Sequence, residues 1–401
     1  MTAVSNWFTN LPSRKDQLFS YWLTFLAIYF IAAQPISRND TINAATLLWI
    51  TGLFLLPKIV KARDMSKPEM AMISAGFTAF TVAATSWITS DYFSGKFGDL
   101  QIELRFVLFP LAYFAIRQGH FKLEHLSIAL LIGSISYLWV SLTAGGRVSG
   151  DENAVTFGNG AFLLFATCAA LFYVGRSWAI KIITACAAIG YMYAAYASGT
   201  RGSFLAIPAL ATIFFFTLPG KQKVIMAALV IASIVLLANS NMGQSYKRGI
   251  NNVQAYFTSN QVHSSMGQRL EQWRSAWCMF TEAPLLGKGP HQFKQAIQDS
   301  TNQCDIKVTN QKGYYQQAHS YYFNTLATKG SIGLIVELGF FISLIYLGFR
   351  KGKETGILIL AVIGSMLSYG VTVDLFFHRY LIDKHLILLA LLLGLNLQKE
   401  K

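Results

Sequence analysis

Residues 266–280 read MGQRLEQWRSAWCMF, and they lie inside a polar interval that runs from Asn239 to Gly330. This is the only long polar interval in a chain that otherwise consists of apolar runs. The chain of 401 residues is 53% hydrophobic and only 13% charged, with a mean hydropathy of +0.41. An ordinary soluble core cannot bury that proportion of apolar residues, so a lipid bilayer is the natural solvent. We therefore expect an integral membrane protein.

The apolar runs predict an all-α polytopic membrane protein with about twelve transmembrane helices, because a span needs roughly 17 to 25 mostly apolar residues. The expected spans lie near residues 18–34, 42–57, 70–88, 100–116, 126–142, 154–174, 178–197, 203–218, 224–238, 331–349, 356–373 and 381–397. The chain then divides into nine spans over residues 1–238, a loop domain over 239–330 and three spans over 331–401. The first run resembles a signal peptide, but eleven more follow it, which favours an uncleaved span.

The basic residues indicate how the bundle is oriented, because Lys and Arg accumulate in short cytoplasmic loops. With the N-terminus inside, seventeen of them lie on the cytoplasmic side and six in the opposite short turns. Both termini are therefore expected to be cytoplasmic, and the large loop is expected to face outward. The net charge of +14 requires no nucleic acid partner, since much of it lies where this rule puts it.

Large apolar residues recur within the polar interval at spacings of three, four and three, which predicts an amphipathic helix. They are Leu270, Trp273, Trp277 and Phe280. Because tryptophan favours the interface between membrane and water, we expect this helix to lie on or dip into the outer leaflet. The interval also carries nine basic residues against four acidic ones, which suggests an anionic partner on the outer side. No structure is predicted for residues 291–317.

Two cysteines, Cys278 and Cys304, lie in the outward interval, where an oxidising compartment would permit a disulfide. The sequence does not give their separation, so a disulfide and two free thiols both remain open. No CxxC motif and no cluster of His and Cys suggests a zinc site. We expect neither a metal nor a cofactor.

Short outward turns supply candidate binding residues. Arg201 lies in the turn ASGTRGS at residues 197–203, where a guanidinium at the membrane edge would bind a diphosphate through charge-assisted hydrogen bonds. Arg147 and Asn153 lie in a glycine-containing turn. This turn could be a surface connection without a function, or its residues could bind a ligand. Arg105, at the start of the fourth span, could snorkel to the interface, pair locally or meet an anionic ligand.

His319 stands at the entrance to the tenth span. An imidazole titrates near neutral pH and can take a proton from a hydroxyl, although a single histidine near a membrane edge is more often structural. Gly330 and Gly333 follow at a spacing that would allow close helix approach.

Several motifs, in their order and topology, resemble the O-antigen ligase family and its relatives, the O-antigen polymerases and the bacterial protein O-oligosaccharyltransferases. The motifs are Arg201-Gly202 in a short outward turn, Gly267-Gln268-Arg269-Leu270 with Trp273, Pro284-Leu285-x-Gly287-x-Gly289, and His319-Ser320 followed by Gly330-x-x-Gly333. The resemblance implies a glycosyltransferase of class C architecture. Such an enzyme is metal-independent and transfers glycan from undecaprenyl diphosphate to an acceptor hydroxyl in the periplasm.

The same resemblance implies roles for individual residues. Arg201 and Arg269 resemble the arginines that bind the diphosphate, and His319 resembles the catalytic histidine. The implied donor is undecaprenyl-diphosphate-linked O-antigen and the implied acceptor is lipid A-core oligosaccharide, joined with inversion in the bacterial inner membrane by a site that faces the periplasm. Glu271 could orient Arg269, although a solvated position on the helix surface is favoured.

Two other functions remain alternatives. A polymerase or a protein O-oligosaccharyltransferase would share the donor and differ in the acceptor, which no motif encodes; the compact chain and single large loop favour the ligase. A transporter or lipid flippase would have ionisable residues near the bilayer midplane and interrupted helices in repeated halves. Ionisable residues in this chain are concentrated at the outer ends of the spans, and no internal repeat is evident.

Overall fold

The computed structural model describes residues 14–397 except 62–64, 120, 152, 176, 218, 221–222, 225–240, 301–303, 305–314 and 396. This part of the chain folds into fourteen α-helices and two short 3₁₀ helices, Phe97–Leu100 and Gly202–Leu205, without a strand. The α-helices are α1 Arg14–Ala33, α2 Arg38–Lys61, α3 Lys67–Thr89, α4 Leu104–Gln118, α5 Leu123–Thr143, α6 Ala154–Val174, α7 Trp178–Ala197, α8 Ala206–Thr217, α9 Asn241–Ser259, α10 Ser265–Glu282, α11 Phe293–Ser300, α12 Tyr321–Lys351, α13 Lys353–Tyr369 and α14 Arg379–Gly394.

The predicted spans agree with these helices wherever the structure describes them. Eleven of the twelve coincide with a helix, and the remaining one, near 224–238, lies almost entirely outside the described residues. Among the described residues, seven helices are long and apolar enough to cross a membrane, namely α1, α2 up to Pro57, α3, α5, α6, α7 and α12. The all-helical fold is therefore confirmed for the described residues, and the chain is a multi-pass membrane protein. A total of twelve spans stays a prediction.

Helices α6 and α14 lie at the centre of the bundle. Every residue of α14 from Tyr380 to Gly394 is buried, as is most of α6. Helix α14 packs against α2, α4 and α13, while α6 packs against α7 and α13. A helix that is apolar on all sides is stable when other helices surround it. The N-terminal ends of α6 and α14 are therefore held firmly, and both ends carry residues of the site described below.

Helix α12 is broken at Gly330, where φ is 68° and ψ is −170°. The break lies against the turn at residues 284–290, whose backbone forms hydrogen bonds on both sides of it. These are Lys288 N to Ala327 O, Gly289 N to Thr328 O, Ser331 N to Pro284 O and Ile332 N to Leu285 O, at 2.8 to 3.2 Å. A Cβ atom on Gly330 would lie 2.2 Å from the oxygen of Leu285. The prediction that Gly330 and Gly333 allow close approach of another helix is therefore wrong. The lack of a side chain at Gly330 instead makes room for the backbone of the turn at residues 284–290.

The polar interval contains α9, α10 and α11. Helix α10 agrees with the predicted amphipathic segment and packs on α9, α11 and α12, but its buried residues form a different stripe of mostly small and polar residues. That stripe comprises Gly267, Glu271, Gln272, Ser275, Ala276, Cys278 and Met279. Trp277 is exposed, whereas Trp273 stacks on Phe323 of α12 with ring centroids 5.3 Å apart. The position of α10 at the outer leaflet stays a prediction.

A disulfide joins Cys278 of α10 to Cys304, with Cα atoms 6.4 Å apart, so the pairing left open by the sequence is present in the structure. The guanidinium of Arg274 donates from Nη2 to the oxygen of Cys304 at 3.2 Å. Helix α11 packs on α10 nearby. These contacts hold Cys304 against α10.

Candidate active site

Two adjoining cavities lie beside α10. Cavity A has a volume of about 420 Å³ and is lined by the start of α6, by α10, by the segment before α12 and by the turn between α13 and α14. Cavity B has a volume of about 650 Å³ and is lined by the turn after α7, by α9 and by the start of α10. The cavities meet at the residues that line both: Arg147, Val155, Ser265 and Arg269. Each cavity is within the size range of ligand-binding clefts.

Arg201 lines cavity B from the turn after α7. Its Nη1 donates to the oxygen of Ser245 in α9 at 2.5 Å, and the hydroxyl of Tyr246 donates to the oxygen of Arg201 at 2.7 Å. Burial, together with the nearby positive charge of Arg248, lowers the pKa of the Arg201 guanidinium. Helix α9 therefore holds this arginine in place at the cavity wall.

Arg147 lines both cavities from the turn between α5 and α6. Its Nε donates to the oxygen of Ser198 at 2.8 Å, which ties this turn to the turn after α7. Gly199 follows with φ of +63°, a left-handed conformation that glycine adopts without strain. The turns after α5 and α7 thus bring Arg147 and Arg201 to the same region.

Arg269 also lines both cavities, from the second turn of α10. The helix begins in a fixed position because Ser264 Oγ accepts a hydrogen bond from Gly267 N at 3.0 Å. Within the described part of the chain, the Arg269 guanidinium makes no hydrogen bond or ion pair. Burial lowers its pKa, and so do the positive charges of Arg201 and Arg147. Two guanidinium groups, those of Arg147 and Arg269, therefore lie where the cavities meet, and that of Arg201 lines cavity B close enough to act on Arg269. This arrangement suits a multiply charged anion.

His319 lines cavity A just before α12. Its φ of +49° is left-handed, a conformation that residues other than glycine seldom adopt and that often occurs at functional sites. The backbone on its C-terminal side is anchored, because Tyr321 N donates to the oxygens of Gly370 and Val373 at 2.8 and 3.0 Å. On the other side, Ala318 N donates to Oδ1 of Asn324 at 3.1 Å. The backbone that carries His319 is therefore held on both sides.

The electrostatic surroundings keep the His319 ring neutral. Burial, followed by the positive charge of Arg269, lowers the pKa of the imidazole to about 4. No hydrogen bond from its ring is present among the residues that the structure describes. A neutral imidazole with a free nitrogen can accept a proton from a hydroxyl that enters cavity A.

Asp374 is a further residue of cavity A that the sequence analysis did not select as a site residue. It lies in the turn between α13 and α14, where its Oδ1 accepts a hydrogen bond from Phe376 N at 3.0 Å. Burial raises the pKa of the Asp374 carboxyl to about 7. The signal in the sequence was an acidic residue between two apolar runs, in a turn rich in ionisable residues.

The other predicted site residues have different outcomes. Asn153 caps α6, since its Oδ1 accepts from Thr156 N at 2.9 Å, and it also lines cavity A. Arg105 lines neither cavity; it is buried and pairs with Asp383 of α14 at 3.1 Å. The favoured solvated position of Glu271 is wrong, because Glu271 is 1% exposed and accepts a hydrogen bond from Tyr256 at 2.6 Å.

A buried ionic cluster lies beside the site at the start of α12. Lys329 Nζ lies 3.3 Å from Glu103 Oε1 and 2.5 Å from Glu337 Oε1. All three residues are buried. The cluster joins Glu103, the residue directly before α4, to residues on both sides of the break at Gly330, so it fixes the direction in which α12 leaves the site.

One group of side chains has the spacing of a metal site: Cys278, Glu282 and Cys304 have ligand atoms within 4.8 Å of one another. The two sulfurs are joined to each other, and Glu282 pairs with Lys288 at 2.7 Å. A disulfide offers no thiolate to a cation. This group therefore does not fit a metal ion.

Residues 185–338 match the family model described as O-antigen ligase. The match includes Arg201, Arg269 and His319, whereas Arg147 and Asp374 lie outside it. An O-antigen ligase of Escherichia coli is 22% identical over 258 residues, which cover 60% of this chain and 59% of that protein. An uncharacterised protein of Haemophilus influenzae is 20% identical over 325 residues, covering 77% of this chain and 80% of that protein. The resemblance that the motifs indicated is confirmed.

Proposed function

We propose that this O-antigen-ligase-like membrane protein transfers O-antigen glycan from undecaprenyl diphosphate to a sugar hydroxyl of lipid A-core in the periplasm, without a metal and with inversion. The observation that carries the proposal is that Arg147 and Arg269 line the same cavity as His319, while Arg201 lines the adjoining cavity that those two arginines share. The family match supports the class of enzyme. The family match does not identify the donor, the acceptor or the roles of the residues, which are part of the proposal.

The donor diphosphate is assigned to the junction of the cavities. Breaking the bond between sugar C1 and the diphosphate leaves the bonding electrons, and so additional negative charge, on the diphosphate. Fixed guanidinium groups stabilise that charge through charge-assisted hydrogen bonds, which are strong where water is excluded. Cavity B also has apolar lining from Leu205, Ile250 and Val253, which suits the first part of the lipid chain.

His319 is assigned as the base. The acceptor oxygen forms a bond to sugar C1 as the bond from C1 to the diphosphate breaks, and the hydroxyl proton passes to the imidazole. A base with a pKa well below neutral is almost wholly unprotonated at neutral pH. Its weaker basicity makes proton transfer from the hydroxyl less favourable than transfer to an ordinary imidazole. An approach opposite the leaving group produces inversion. The proton then passes from His319 to water.

The proposed location is the bacterial inner membrane, with both termini in the cytoplasm and the site facing the periplasm. The distribution of Lys and Arg among the short loops supports this orientation. The disulfide between Cys278 and Cys304 also suits an oxidising compartment. Addition of thiol-reactive or protease probes to intact inner-membrane vesicles of known orientation would test it.

The test of the function is reconstitution of the purified protein with lipid-linked O-antigen and lipid A-core. We expect a lipid A-core product of higher mass, formed equally with added Mg²⁺ or chelator. Longer lipid-linked glycan without ligation would identify a polymerase instead, and glycosylated protein would identify a protein O-oligosaccharyltransferase. Transfer in detergent, where no gradient exists, that is lost in His319→Ala and Arg269→Ala would exclude transport as the primary activity.

A further inference from the structure

The lining of cavity A includes two side-chain amides, those of Gln272 and Gln317, to which the proposed function assigns no role. Gln272 lies on α10, one turn after Arg269, and Gln317 lies two residues before His319. Both line cavity A, and neither lines cavity B. Both amides are therefore close in sequence to residues of the proposed reaction and lie on the His319 side of the junction.

The oxygen atoms of these amides have no partner. Oε1 of Gln272 and Oε1 of Gln317 are buried, and neither accepts a hydrogen bond within the part of the chain that the structure describes. Gln272 as a whole is only 5% exposed. A buried polar atom without a partner is costly, and in native proteins it is rare unless a ligand or water completes it.

The chemistry of the missing partner follows from what an amide oxygen can do. It accepts hydrogen bonds and donates none, so its partner must carry an O–H or N–H group. A diphosphate oxygen is itself an acceptor at neutral pH and would be repelled. The guanidinium groups at the junction are hydrogen-bond donors and suit an anion. The two glutamine oxygens are acceptors and suit a hydroxyl group.

We propose that Gln272 and Gln317 form a saccharide subsite in cavity A that binds hydroxyl groups of the acceptor sugar. This inference rests on the proposed function, in which the leaving diphosphate lies at the arginines and the acceptor approaches sugar C1 from the opposite side. The residues that line only cavity A lie on that side, and they include His319, which accepts the proton from the acceptor. The subsite therefore positions the ring whose hydroxyl reacts.

The test compares Gln272→Leu, Gln317→Leu and the control Gln316→Leu in the purified full-length protein. Gln316 is exposed and lines neither cavity, although it adjoins Gln317 in the chain. Each of the first two changes should raise the KM for lipid A-core about 3- to 10-fold, the loss expected for one neutral hydrogen bond. The KM for the lipid-linked donor and the kcat should stay near the wild-type values, and the control should match wild type in all three.

The thermal unfolding midpoint of each variant separates structural damage from loss of binding. The variant Gln272→Asn keeps an amide on a shorter side chain, so its KM for lipid A-core should fall between those of wild type and Gln272→Leu. A rise in the donor KM alone would assign the glutamines to the donor glycan and overturn the proposal. Unchanged KM values for both substrates would overturn it as well.

A binding measurement distinguishes failure of the subsite from failure of the proposed function. Saturation-transfer NMR with delipidated core oligosaccharide should give a signal with wild type and Gln316→Leu that both cavity variants weaken. Equal signals from all four proteins would reject the subsite, and so would the lack of a signal from a wild type that ligates lipid A-core. If wild type transfers glycan to another acceptor instead, the proposed function fails, and the same KM comparison with that acceptor decides the subsite.

Discussion

His319 lies near Arg269 in cavity A, where burial and then the positive charge of that arginine lower the pKa of the imidazole to about 4. The base is active when it is unprotonated, so kcat/KM should stay level as the pH falls from neutral and decline only near about pH 4. A bound diphosphate offsets the charge of Arg269 and raises the pKa of His319. The acid limb of kcat should therefore lie at a higher pH than that of kcat/KM.

The variant Arg269→Gln isolates the contribution of the guanidinium to this pKa. Without the positive charge, the pKa of His319 rises and the acid limb of kcat/KM should move to higher pH. Initial rates across the acid range, with the unfolding midpoint recorded at each pH, would show the shift. An acid limb at the same pH in wild type and Arg269→Gln would contradict an electrostatic link between the two residues.

Replacement of His319 by Asn should stop glycan transfer and leave donor binding intact. Asparagine tolerates a left-handed backbone better than most residues, so the φ of +49° at this position is not an obstacle. Its amide cannot accept the hydroxyl proton. Single-turnover assays would measure transfer, and equilibrium binding of labelled lipid-linked glycan would measure affinity. If His319→Asn loses donor affinity as completely as it loses transfer, the residue is not acting as the base.

Loss of one guanidinium at the cavity junction should weaken use of the donor. Each of Arg147→Ala, Arg201→Ala and Arg269→Ala removes hydrogen bonds to a charged group, a loss of about 1.5 to 3 kcal/mol, or roughly 10- to 150-fold in kcat/KM for the donor. Arg274→Ala is a suitable control, because Arg274 lies on the same helix as Arg269 but lines neither cavity. A similar loss in that control would show that the helix, rather than the site, responds to the change.

Removal of the charge on Lys329 should destabilise the fold. Lys329→Met leaves the buried carboxylates of Glu103 and Glu337 without their cation, at a cost of about 3 to 5 kcal/mol. The double variant Lys329→Met with Glu337→Gln should recover part of that loss. Lys288→Met breaks the more exposed pair with Glu282 and should cost at most about 1 kcal/mol. Unfolding in a fixed detergent would rank the three, and equal effects of the two single changes would contradict the prediction.

The disulfide between Cys278 and Cys304 should stabilise the helices of the polar interval. The cysteines are 26 residues apart, and a crosslink over a loop of about this length contributes about 3 kcal/mol. Cys278→Ser with Cys304→Ser should lower the unfolding midpoint, and reductant should lower that of wild type but not of the double variant. Alkylation of both thiols in unreduced, fully unfolded protein would show that the bond is absent.

The sequence predicted most of the helices because long apolar runs leave few alternatives in a bilayer. It did not predict that α14 is buried along its whole length, since an apolar run suits lipid and protein surroundings equally. The break at Gly330 was also missed, because the turn that fills it comes from residues 284–290, and only the folded chain brings them together.

The candidate site was predicted in part. Arg201, Arg269 and His319 could be selected because charged residues near a membrane edge are few and the motifs around them resemble a known family. Arg105 has the same local character, yet its partner Asp383 is 278 positions away in the chain, so the sequence could not separate a structural ion pair from a ligand site. Gln272 and Gln317 carry no signal of their own, because an amide becomes informative only when its lack of a partner is visible.

The convergence of Arg147, Arg201 and Arg269 has a consequence for the end of the proposed reaction. Once the glycan has left, the lipid diphosphate carries an additional negative charge, and the same three cations hold it more strongly than they held the donor. Its apolar chain, which the proposal places in cavity B, must leave along the same route. Tight binding of the spent lipid carrier is therefore expected to slow its departure from the site.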